Sequence, residues 1–95
     1  MAIRDITPSP EPCTEAGWIA FQYQLDRPVS REFIFSLRSL GSFVFLDMLA
    51  RPFFKIESHH YILKGLLGDA SIRVAVHRDH LDEQDVIKRL IEQTA

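Results

Sequence analysis

The sequence predicts a two-layer α+β sandwich, a mainly antiparallel sheet with both helices packed on one face. Three patterns carry that expectation. Tyr61 to Leu67 and Ala70 to Val76 are two extended runs flanking Gly68-Asp69, a glycine-first pair suited to a tight hairpin turn. Gly17 to Leu25 alternates, with Ile19, Phe21, Tyr23 and Leu25 on one side and Trp18, Ala20, Gln22 and Gln24 on the other, as a strand covered on one face does. Two segments with apolar residues at helical spacing, one after Ser30 and one after Asp82, supply the covering layer.

In chain order, residues 1–16 carry Pro8, Pro10 and Pro12 and are expected to form a flexible proline-containing arm, ahead of a single α+β domain over residues 17–95. The strand ending at Leu25 gives way at Asp26-Arg27-Pro28 to a helix capped by Ser30. Val29 before the cap and Ile34 form a hydrophobic staple, and Gly41 supplies a left-handed exit. Phe33, Ile34, Leu37 and Leu40 make the buried stripe, which leaves Phe35 off it. Phe43 to Leu49 is apolar on both parities apart from Asp47, predicting a central strand covered on both sides. The rival, a helix continued through Gly41 to Ala50, would cost about 1 kcal/mol for the glycine. Residues 53–58 look extended and lead through a bulge near Glu57 into the strand starting at His60. The last helix follows Asp82 as cap, with Leu81 and Val86 as a second staple and Val86, Ile87, Leu90 and Ile91 buried. The order is strand, helix, two or three strands, helix, with a crossover placing the first helix beside a parallel strand pair; the general character is ferredoxin-like.

The hairpin also predicts a register. Leu67, Gly65, Leu63 and Tyr61 face Ala70, Ile72, Val74 and Val76 on an apolar side, while Leu66, Lys64, Ile62 and His60 face Ser71, Arg73, Ala75 and His77 on a mixed one.

Eleven basic and thirteen acidic residues are dispersed, for a formal net charge of −2, so no long-range field gathers nucleic acid or anionic lipid. Neither a secretion leader nor a span of about 20 apolar residues is found, and the expectation is a cytoplasmic protein with no membrane partner. Cys13 is the sole cysteine, which excludes an intrachain disulfide and fits a reducing compartment. No cofactor motif, glycine-rich phosphate loop or nucleophile signature is present, so the chain reads as a non-enzyme more readily than as an enzyme.

Two groups of residues remain as candidate sites. His60 and His77, opposed at the end of the hairpin, form a candidate metal pair, because opposed Cβ atoms lie about 5 Å apart. Trp18, Ala20, Ile62, Lys64, Leu66, Arg73 and Ala75 lie on the sheet face that the helices are expected to leave bare. That face is less polar than a solvated sheet should be, and it is the candidate ligand or self-association surface. Its mix of Trp18 with cations also suits single-strand stacking, but the acidic balance argues against nucleic acid.

Leu25-Asp26-Arg27-Pro28, running into a helix that ends at Leu40-Gly41, resembles the opening of an ACT-type regulatory domain, a ferredoxin-like module that binds small metabolites at dimer interfaces. The resemblance covers about 25 residues and implies metabolite sensing in a dimer. Val29 stands where that family has glycine, and no strand follows the last helix. The functional expectation is a small intracellular interaction or ligand-sensing module acting as a homodimer. A metal-binding protein or minor enzyme using the His60/His77 end is the alternative.

Overall fold

The structure is a computed structural model that describes residues 1–10, 16–48 and 50–94. One six-stranded sheet runs through it, made of β1 (Ile3–Pro8), β2 (Trp18–Leu25), β3 (Ser42–Leu46), β4 (Phe53–Glu57), β5 (Tyr61–Leu66) and β6 (Ser71–His77) in the order β1-β2-β6-β5-β4-β3. Helix α1 (Arg31–Ser36) and a 3₁₀ turn (Arg38–Leu40) join β2 to β3, and a 3₁₀ segment (Arg78–Glu83) leads from β6 into α2 (Gln84–Gln93). None of the helices described is long and apolar enough to cross a membrane.

The ferredoxin-like expectation is corrected by this topology. Among the described residues every strand pairing is antiparallel, so no parallel pair flanks a helical crossover. The helical link instead carries the chain from β2 to the far edge of the sheet, where β3 begins a meander that returns through β4 and β5 to pair β6 with β2. Residues 3–8, placed in the flexible arm by their neighbouring prolines, form β1. An edge strand tolerates Pro8 because the missing donor falls at its end. Pro12 and Cys13 lie outside the described residues.

One face of the sheet is sealed. Tyr23, Phe54, Ile56, Leu63, Ile72, Val74 and Val76 are all no more than 1% exposed and form one core with Phe33, Ile34 and Leu37 from the α1 region and Ile87 and Ile91 from α2. Ser30 caps α1 by accepting the Phe33 backbone N–H at 3.1 Å, and Val29 and Ile34 are both buried, as the staple requires. The helix ends early because the Ser36 hydroxyl donates to the Phe33 carbonyl at 2.5 Å, a local bond that competes with continued helix. Gly41 makes no left-handed exit; its φ of 172° is extended backbone. A glycine is needed there because a Cβ would sit 2.4 Å from the Glu57 carbonyl oxygen. Phe35, off the predicted stripe, packs against Phe43 and Phe45 at 5.1 and 5.3 Å.

Three further expectations change. β3 is an edge strand with Val44 and Leu46 exposed, not a central one, because Phe43 and Phe45 alone face the core. Residues 53–57 do not run on into β5 through a bulge. The chain reverses, with the Ser58 N–H donating to the Tyr61 carbonyl at 2.9 Å. The second staple fails as well: Leu81 and Val86 are exposed, and the start of α2 is instead fixed by the Tyr23 hydroxyl, which donates to Gln84 Oε1 at 2.6 Å in the core.

The β5–β6 register is the expected one, with Leu63 opposite Val74, Tyr61 opposite Val76, Ile62 opposite Ala75 and Lys64 opposite Arg73. The paired register ends at Lys64 and Arg73, short of the expected Leu67–Ala70 pair, and the turn differs. The Asp69 N–H donates to the Leu66 carbonyl at 3.2 Å and Gly68 has φ of 91°, so the glycine fills the third position of a four-residue turn, where a type II turn requires it.

Candidate functional site

Alternation along the strands sends the other parity outward, and the pairings assemble those side chains into rows across the sheet. Trp18 and His77 make one row, and Ala20, Ala75 and Ile62 the next. Gln22, Arg73, Lys64 and Lys55 follow, each directly opposite the next on a neighbouring strand. This last row places three cations side by side, with Lys64 flanked by one on each side. Opposed like charges on adjacent strands work against a sheet, and here Glu57 offsets Lys55 and Arg73 has a partner of its own.

A cleft of about 320 Å³ opens beside that row, lined by Gln22, Phe53, Lys64, Gly65, Leu66, Asp69, Ser71 and Arg73. Its polar contacts are ordered. Gln22 Nε2 donates to the Ser71 hydroxyl at 2.8 Å, and the Asp69 carboxylate at the rim is engaged by Arg51. Lys55 lies 3.2 Å from Glu57 in an exposed pair, whereas Lys64 is half-buried and has no ion pair among the described residues. Phe53 and Leu66, opposite one another on β4 and β5, give the cleft an apolar floor. A cationic row above an apolar floor suits a small anionic molecule with an apolar body.

All seven residues of the expected ligand face lie on this outer side, but the structure divides them. Lys64, Leu66 and Arg73 line the cleft. Ala20, Ala75 and Ile62 form the row next to it, and Trp18 stands at the far end, edge-on to His77 at 6.0 Å. Sequence reasoning placed Gln22 on this face without assigning it a role. It missed Phe53 and Lys55, since neither can be positioned until residues 53–57 are recognised as a strand that reverses.

The histidine end is built differently from the expected His60/His77 pair. The two residues do meet across the strands, the His77 N–H donating to the His60 carbonyl at 2.9 Å. Their imidazoles have different partners, however. His77 Nδ1 accepts the Asp79 backbone N–H at 3.2 Å. His60 instead stacks on His80, with ring centroids 3.5 Å apart and planes 7° from parallel, and both Nδ1 atoms face Glu83 Oε2 at 2.7 and 3.1 Å. His80 reaches this position because its φ/ψ of −132°/32° breaks the 3₁₀ segment and turns its side chain toward β5. The i, i+3 spacing of His80 and Glu83 was visible in the sequence, but Glu83 reads there as a charge serving the helix dipole.

No family model, no curated protein and no solved structure matches the chain.

Proposed function

We propose that the protein is a non-enzymatic ligand-sensing module that holds a small anionic molecule, a phosphate ester or a carboxylic acid with an apolar body, on the outer face of its sheet. The row Lys55, Lys64, Arg73 beside the cleft carries this reading. A bound anion offsets the charge of Lys64, which has no ion pair among the described residues, and Phe53 and Leu66 take the apolar part. Charge-assisted hydrogen bonds to Lys64 and Arg73 supply orientation, and the Gln22 amide adds a neutral donor.

The test is a thermal-stability screen with phosphorylated and carboxylated metabolites. A ligand at about 100 times its Kd adds about 2.7 kcal/mol. Stabilisation by one such class, abolished in Lys64→Ala, supports the reading. A screen in which no anion stabilises the wild type beyond its effect on Lys64→Ala removes it.

Exposed Val44 and Leu46 on the edge strand β3, with Met48 83% exposed just beyond, favour a second reading in which two copies pair through this edge as a homodimer. Sedimentation at micromolar concentration tests it. A dimer that Val44→Lys converts to monomer supports it, and a wild-type monomer removes it.

A further inference from the structure

At the opposite end of the β5–β6 hairpin from the cleft, we propose a binding site for a divalent transition ion, formed by His60, His80 and Glu83. The two residue sets are disjoint, so neither reading depends on the other. Two imidazole nitrogens and a carboxylate oxygen lie within 4.8 Å of one another. The Nδ1 atoms stand 2.7 and 3.1 Å from Glu83 Oε2. Donor atoms on a tetrahedron with bonds of about 2.0 Å lie about 3.3 Å apart, so both nitrogen–oxygen distances are close to those of an occupied site. The rings are stacked, and a shared ion requires each to rotate until the Nδ1 lone pairs converge. Side chains 42% and 39% exposed have room for that rotation.

A ring that binds the ion through Nδ1 carries its proton on Nε2, and Glu83 contributes a carboxylate oxygen. Two histidines and one carboxylate leave at least one position for water or an outside ligand. This is the donor set of Zn²⁺ sites that keep an open position, and of other first-row ions. The ion would tie the turn before β5 to the segment entering α2.

The same chemistry excludes His77. Its Nδ1 lone pair is already engaged by the Asp79 N–H, which leaves the proton on Nε2, and that tautomer presents no free lone pair to a metal. Strand opposition points to His77, whereas the donor atoms that lie together are those of His60, His80 and Glu83.

The experiment is a Co²⁺ titration read by visible absorption, with Zn²⁺ competition, on Cys13→Ser protein so that no thiolate contributes. The expected result is a saturable d–d spectrum at one ion per chain, displaced by Zn²⁺, lost in His60→Ala, His80→Ala and Glu83→Gln, and retained in His77→Ala. In the unmutated sites, long-range ¹H–¹⁵N spectra should show Zn²⁺ moving the His60 and His80 Nδ1 resonances and not those of His59, a readout independent of how any variant folds. Absence of saturable binding overturns the proposal. So does binding that survives the loss of His60 and His80, or that disappears only with His77.

Discussion

Leu63 and Lys64 are neighbours in the chain, yet one is sealed beneath the helices and the other opens on a cleft. The whole sheet divides this way. On the inner face Leu63 meets Val74 within a continuous apolar core, and on the outer face Lys64 meets Arg73 and Lys55 in a row of like charges. The comparison separates stability, carried by the inner residues, from the binding role proposed for the alternate ones, so substitutions one position apart should act on different properties.

The largest expected effect is on the inner face. Leu63→Ala should lower the free energy of unfolding in urea by about 3 kcal/mol, while Ile62→Ala, half-buried on the outer face, should cost about 1 kcal/mol or less. Equal losses at the two positions would break the division. Next is the polar contact inside the core. Burial, with Asp85 adding to it, pushes the Tyr23 phenol above the ordinary tyrosine range, so it remains a donor to Gln84. Tyr23→Phe leaves Gln84 Oε1 buried without that donor and should cost about 1 to 3 kcal/mol by the same measurement. Gly41→Ala should cost a similar amount, about 1 to 3 kcal/mol, because its methyl group meets backbone at Glu57 that has no rotamer to yield.

The outer row should behave with the opposite sign. Lys64→Ala relieves two like-charge contacts and is expected to leave stability unchanged or raise it by a few tenths of a kcal/mol, with the gain shrinking in salt. A loss of more than about 1 kcal/mol would mean that Lys64 serves the fold.

The smallest effect is at the margin of the sheet. Asp26 accepts the Ala2 backbone N–H at 3.0 Å, which, aided by Arg27 and opposed by slight desolvation, holds its carboxyl below the usual range. Its contribution is therefore present above the ordinary carboxylate pKa and is lost as pH falls through the lowered one. Wild type and Asp26→Asn should differ in melting temperature at neutral pH and converge in acid.

The inner face was the legible part of the sequence. Strict alternation in β2 and β6, with Gly68 between β5 and β6, fixed the partners of Leu63 and Tyr61, because a one-residue slip would expose the whole apolar set. The outer face was legible in membership and not in arrangement. Lys55 and Phe53 depend on a reversal at Ser58 that no Asn-Gly or Pro signal announces. β1 was hidden because proline at 8, 10 and 12 dominates the local pattern, although Ile3 and Ile6 reach the core. In the histidine cluster, strand opposition pointed to His77. The deciding facts, a kink at His80 and a backbone donor at Asp79, belong to tertiary structure.

The most direct test of the outer face as a binding face is an amide and lysine side-chain NMR titration with the anion that gives the largest thermal stabilisation. Saturable shifts concentrated at Gln22, Phe53, Lys64, Ser71 and Arg73, with Leu63 and Val74 nearly still and the response abolished in Lys64→Ala, are the expected result. Shifts that fail to saturate, spread evenly over the surface, or persist without Lys64 would contradict it.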